Sequence, residues 1–257
     1  MVVADRVEQL FCAHLQDEGI GTLYERIVKG RMLRNLATTY GYRSVVELGC
    51  SVTKGFDNLA FLDQGLDVTV ADAQIDTIRA GWRFADKPRF STLEDAPAAD
   101  LVWSFARAQL DPTVIDAMKR LARRHLLVFV PNVLNPGAPV HFTYHLLTRT
   151  RCRHAERGRP GLRTRAGLVR LVARRGVRVL SSGYIDAPPI PNIAFSIREL
   201  KQAMGWPTPS ANGSQPAADA DAVWRRMQAL THFEAHPLAV PFRPIVAHHI
   251  YALGAVE

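Results

Sequence analysis

The stretch VVELGCSVTKGFDNLAFLDQGLDVTVADA, residues 45–73, decides the fold. It opens on an apolar run closed by Glu47 and passes through a loop of small side chains from Gly49 to Gly55. An amphipathic patch follows, then a second apolar run closed by Asp72. Apolar runs of this kind, separated by helical pattern, are the strands of a parallel sheet covered on both faces. In such a sheet ligands sit beyond the carboxyl ends of the strands. Small residues let the backbone come close there, and an acid at the next strand end holds ribose hydroxyls. Glu47 and Asp72 occupy those two places.

The same alternation continues on both sides. Val3, Val7, Leu10, Phe11 and Leu15 predict a helix over 3–18, and Leu23, Ile27, Gly30, Leu33 and Ala37 share one face of a helix over 22–38. Strands follow at 44–48 and 67–71, with a short helix near 55–63 and another at 74–84. A weaker strand at 89–93 precedes a clear one at 99–105, a helix from Pro112 to Arg124 and a buried strand at 125–132. Residues 133–166 are rich in Arg, His, Pro and Gly, with a short helix at PVHFTYHLL. AGLVRLVARRG then reads as a helix with Leu168, Leu171 and Val172 inward. The last strands are 177–185 and 247–256. Between them lie helices at 195–204 and from Ala222 to about Phe233, flanking a stretch (207–221) too poor in apolar groups to order itself.

The chain has 257 residues, 47% of them hydrophobic, enough for one large domain without staples. Three scattered cysteines make no disulfide framework, and no apolar run reaches spanning length, so the expectation is a cytoplasmic protein with no membrane span. The formal charge of +8 comes mainly from arginine and points only weakly to nucleic acid. Nothing in the pattern sets the oligomeric state, and a homo-oligomer stays open.

A dinucleotide fingerprint needs G-x-G-x-x-G, and the loop Gly49-Cys50-Ser51-Val52-Thr53-Lys54-Gly55 lacks the second glycine. An anionic Glu47 would repel phosphates and attract an ammonium or sulfonium group. An acid, a glycine-containing loop and a second acid closing strand two together resemble the class I S-adenosylmethionine-dependent methyltransferases. The resemblance spans roughly residues 40 to 135, and RVLSSGYI and AHHIYALG are similar to that family's closing strands. It implies a doubly wound, mostly parallel, seven-stranded Rossmann-like sheet in a single domain over 1–257. That domain would comprise N-terminal helices (1–40), a cofactor-binding core (41–135), an acceptor-side insertion (136–166) and a helical cap insertion (186–246). It also implies S-adenosylmethionine as cofactor and S-adenosylhomocysteine as product. Glu47, Gly49, Cys50, Ser51 and Gly55 would then line the methionine side, Asp72 would bond the ribose, and Ala73 would lie against the adenine. Glu94 or Asp95 would stand near the adenine amino group, and Ser104 and Phe105 at the strand-four end would face the transferred methyl.

Methyl transfer from a sulfonium is an in-line displacement that positioning alone can largely drive. An acceptor that must lose a proton needs a base, and His141 and His145, four apart and on one face of a helix, are the candidates. The alternative for either is a hydrogen-bonded structural histidine. Asn132, Asn135 and His154 lie past strand five, where that family binds its acceptors, and Arg153 or Arg157 could clamp a carboxylate or phosphate. Cys152-x-His154 is no standard zinc spacing, so no metal is expected. No Phe, Tyr or Trp occurs between Arg149 and Gly183, which argues against a nucleic-acid acceptor, since single-strand binding wants stacking platforms. Phe195, Met204, Trp206, Trp224 and Phe233 either line a small-molecule pocket or pack as core. The expected acceptor is a small metabolite or natural-product intermediate, acidic if an arginine clamps it. An RNA methyltransferase and a non-catalytic cofactor-binding module are the alternatives.

Overall fold

The computed structural model describes residues 5–51, 53–105, 112–137, 139, 143, 163–187 and 219–256. Its centre is one seven-stranded sheet of order β3-β2-β1-β4-β5-β7-β6. The strands are β1 (Ser44–Leu48), β2 (Asp67–Ala71), β3 (Arg89–Ser91), β4 (Ala99–Phe105), β5 (Ala122–Pro131), β6 (Arg178–Ile185) and β7 (His249–Ala255). β1 pairs in parallel with β2 and β4, placing Glu47 opposite Val70 and Trp103, and β4 pairs in parallel with β5. β7 runs antiparallel between β5 and β6, so the sheet is mostly parallel with one reversed strand.

Helices cover both faces because the strand side chains alternate. Val46, Leu48 and Val102 point toward α5 (Pro112–Leu121) and α6 (Arg165–Arg174), burying Ile115, Met118, Leu168 and Val172. Val45, Leu101 and Trp103 point the other way, against Leu33 and Ala37 of α2 (Ile20–Tyr40) and Phe61 of α3 (Leu59–Leu62). Helix α2 ends at Gly41, whose φ of 61° lets its N–H return to the Ala37 carbonyl. The helix expected over 3–18 is α1 (Arg6–His14), capped by the Asp5 carboxylate, which accepts from the Val7 and Glu8 amides at 2.9 and 3.3 Å. The chain then turns through Gln16–Glu18 and restarts at Gly19, φ 90°. The helix at 74–84 is shorter, as α4 (Ile75–Ala80). The helix expected to reach Arg124 stops at Leu121, because Ala122 already pairs with Ala99 in the sheet.

Helix α7 (Ala220–Ala235) lies along α1 and α2, and Met227 is fully buried with Phe11, Leu23 and Phe56. Polar contacts fix its rotation. The Gln228 amide donates to Glu8 at 2.7 Å and accepts from Arg31 at 2.8 Å, while the Tyr24 hydroxyl bonds Glu234. The short helix α8 (Arg243–Val246) leads into β7. Among the described residues no helix is long and apolar enough to cross a membrane. Of the expected helix at PVHFTYHLL only Pro139 and Thr143, both helical, are among the described residues; the helix at 195–204 and most of 207–221 lie outside them.

Candidate functional site

β1 has β2 on one side and β4 on the other, so the connections diverge and a crevice opens beyond its carboxyl end. Gly49 turns the chain there with φ 73° while its N–H donates to the Ala71 carbonyl at 2.9 Å. Among the described residues a Cβ on Gly49 would meet only the Ser104 hydroxyl, at 4.0 Å, so the backbone is open on that side. The Asp72 carboxylate accepts from the Ser51 amide and from the Gln74 amide, each at 2.8 Å. A carboxylate has about four acceptor positions, so among the described residues two are left for hydroxyls. Ala73 is exposed beside it, and Glu94 and Asp95 are exposed beyond β3, with Asp95 accepting from the Thr92 hydroxyl at 2.8 Å. Ser104 and Phe105 close the crevice at the end of β4, where the Ser104 hydroxyl donates to the Leu48 carbonyl at 2.8 Å. These positions fit a nucleoside with a ribose at Asp72.

Other loop residues face inward. Cys50 is buried with Val70, Ile75 and Ile78. A Cβ on Gly55 would press on Val70 at 3.2 Å and Trp82 at 3.5 Å, so this glycine lets the loop pack onto β2. Glu47 also faces inward. It is fully buried, accepts from the Thr53 hydroxyl at 2.5 Å and from the Asn58 amide, and burial reinforced by Asp57 pushes its pKa up to about 8. At neutral pH it is mostly protonated and offers no exposed charge to a sulfonium. When Glu47 is protonated its O–H can donate to the Thr53 oxygen instead, with the Thr53 hydroxyl turned to the Cys50 carbonyl at 3.2 Å. Glu47 therefore ties the loop to the core.

Beneath the loop runs a chain of alternating charge. Arg26 bonds Glu18 at 2.8 Å and the fully buried Asp57 at 2.8 Å; Lys29 bonds Asp57 at 2.7 Å and Glu25 at 2.8 Å. A guanidinium N–H of Arg26 also donates to the Thr53 carbonyl at 3.1 Å, fastening the loop. The Lys29 ammonium stands 3.6 Å from the centre of the Phe105 ring, so the chain reaches the end of β4.

Past Phe105 lies a cluster that sequence reasoning missed: Glu25, Asp186, His248 and His249. The His249 ring is 4.6 Å from that of Phe105 and 4.3 Å from that of His248. Burial pushes His248 down and the Asp186 bond more than restores it, whereas burial and the neighbouring His248 hold His249 below the usual histidine value. Asp186 follows β6 with φ 61°, and its carbonyl accepts from the His248 amide at 2.8 Å. The signal was hidden because 247–256 reads as one strand, along which neighbouring side chains diverge. His248 in fact precedes β7 and escapes that alternation.

Asn132 and Asn135 are buried and their amides serve the chain itself. Asn132 donates to Pro244 and Ala247 carbonyls at 2.9 and 3.0 Å and accepts from the Leu134 amide; Asn135 donates to Val246 at 2.9 Å and accepts from Gly137 at 2.8 Å. They pin the end of β5 to the entry of β7. His141, His145, Arg153, His154 and Arg157 lie outside the described residues.

Comparison with solved structures agrees with this topology. A protein provisionally assigned as a methyltransferase of an antibiotic biosynthesis pathway in Anabaena variabilis superposes with a TM-score of 0.50 at 14% identity, covering 87% of this chain and 96% of that one. The chain has the class I methyltransferase fold. A SAM-dependent methyltransferase from Archaeoglobus fulgidus (TM-score 0.45, 13% identity, 91% of this chain and 98% of that one) is also similar. So is the plantazolicin methyltransferase BpumL in complex with SAH (0.48, 13%, 98% and 94%). No family model and no curated protein matches the sequence.

Proposed function

We propose that this protein transfers a methyl group from S-adenosylmethionine to a small-molecule acceptor by direct displacement, releasing S-adenosylhomocysteine. The observation that carries the reading is the Asp72 carboxylate, held by the Ser51 amide beside the open backbone of Gly49 with acceptor positions to spare. In this reading Asp72 takes the ribose hydroxyls, and Gly49 and Ser51 lie along the methionine portion. Ala73 meets the adenine, with Glu94 or Asp95 near its amino group. When bound, the cofactor supplies an electrophilic methyl on a positive sulfur. The chain excludes water and orients the nucleophile, with Ser104 and Phe105 as the floor of the transfer point. For a hydroxyl or ammonium acceptor, His141 or His145 takes the proton, and Arg153, Arg157 and His154 engage a carboxylate or phosphate. The acceptor class we favour is a metabolite or natural-product intermediate. Free, buried Cys12 and Cys50 suit a reducing compartment, and the cytoplasm is the proposed location.

Calorimetry with S-adenosylhomocysteine tests the cofactor directly. Asp72→Ala is expected to weaken binding by more than tenfold, about 1.4 kcal/mol or more, through loss of charge-assisted bonds. Asp72→Asn, which preserves the side-chain size, should weaken it in the same direction. Equal affinity in all three proteins would remove the ribose contact.

A further inference from the structure

The cluster beyond Phe105 has the composition and spacing of a metal centre. Glu25, Asp186, His248 and His249 each present one donor atom, and the four atoms lie within 4.8 Å of one another. They converge from three elements: Glu25 from α2, Asp186 from the end of β6, and the histidines from the entry of β7. Hydrogen bonding among the described residues leaves the group incomplete. Asp186 Oδ1 and His249 Nδ1 are both buried and have no hydrogen-bond partner, although Asp186 is only 1% and His249 only 4% exposed. A buried acceptor and a buried ring nitrogen left without partners are both costly, and a bound ion would satisfy them together.

The distances indicate what would complete it. Asp186 Oδ2 lies 3.2 Å from His248 Nδ1 and 3.5 Å from His249 Nδ1, the second contact lacking hydrogen-bond geometry. Donors about 2.1 Å from a tetrahedral ion are about 3.4 Å apart, so these separations match the edges of a coordination shell. The widest pair, within 4.8 Å, would close by up to about 1.4 Å, a side-chain rotation, on taking up the ion. Lys29 holds Glu25 Oε1 at 2.8 Å, which leaves the second carboxylate oxygen for coordination.

We propose that Glu25, Asp186, His248 and His249 bind one divalent first-row transition ion, of which Zn²⁺ is the best match. Two imidazoles and two carboxylates are a borderline donor set that favours such ions over Mg²⁺ or Ca²⁺, which prefer oxygen alone. The two carboxylates balance the charge of the ion, while Lys29 stays compensated by Asp57 at 2.7 Å. Next to Phe105 at the end of β4, the ion would stand beside the transfer crevice, yet its presence does not depend on methyl transfer.

The test uses the full chain, stripped with a chelator and titrated with Zn²⁺ by calorimetry, with Co²⁺ absorption reporting coordination. One equivalent should bind with a dissociation constant at or below the micromolar range, and bound Co²⁺ should show the intense visible bands of a four-coordinate site. His249→Ala and Glu25→Gln should each weaken Zn²⁺ binding more than tenfold while leaving the affinity for S-adenosylhomocysteine unchanged. Glu25→Gln is nearly isosteric and half-buried, so it decides the matter if His249→Ala fails to fold. Absence of stoichiometric binding overturns the proposal, as does Zn²⁺ affinity that survives Glu25→Gln, which would mark adventitious histidine binding elsewhere.

Discussion

A carboxyl group sealed between Thr53 and Asn58 keeps its proton far above the range of a solvated glutamate, and Glu47 carries that state into the stability of the protein. Its pKa rises from 4.5 to about 8 on folding, so between those values the folded chain holds a proton that the unfolded chain has released. The stability this contributes is fully present below about pH 4.5 and is lost as pH rises through 8. Glu47→Gln removes the titration. From pH 5 to 8.5 the wild type is therefore expected to lose stability relative to the variant, with a slope of at most about 1.4 kcal/mol per pH unit, read from urea midpoints. A gap constant with pH would mean that Glu47 is already ionised in the fold. At this scale the positions of Gly49 and Asp72 just past β1 and β2 were legible, because strand ends are marked by where apolar runs stop. The ionisation of Glu47 was not, because it follows from Asp57, Thr53 and Asn58 closing over it.

Helix α7 shows what an element gains from neighbours remote in sequence. Its pattern predicts a helix from Ala222, and the structure starts it at Ala220. Its partners, α1 and α2, sit some two hundred residues earlier, joined through Glu8, Arg31 and Tyr24. Met227, fully buried among Phe11, Leu23 and Phe56, is the apolar centre of that contact. Met227→Ala should cost about 2–4 kcal/mol of unfolding free energy by denaturant titration, the range for a long aliphatic side chain removed from a packed core. A cost below 1 kcal/mol would show that α7 rests loosely on the helices that carry Glu25 and Lys29. Helix α5 ends at Leu121, short of its local pattern, for a related reason. Residues 122–124 fit a helix locally, but pairing with β4 claims them for β5.

In the molecule as a whole, one sheet joins the crevice at β1 to the cluster at β6 and β7, so a ligand at the first should stabilise the entire unit. S-adenosylhomocysteine at a hundred times its dissociation constant is expected to raise unfolding free energy by about 2.7 kcal/mol, seen as one transition moved to higher temperature. An unmoved midpoint would count against the crevice as its site. The sequence by itself determined the order of strands and helices, the covered sheet and the acid that ends β2, because periodicity and strand termini are local properties. Only the tertiary structure decided that Glu47 is an internal acid, that Asn132 and Asn135 are clamps, and that Glu25 meets Asp186, His248 and His249. Those outcomes depend on which elements the sheet order and the folding back of α2 bring together, and no local pattern along the chain encodes a distance between residues 25 and 249.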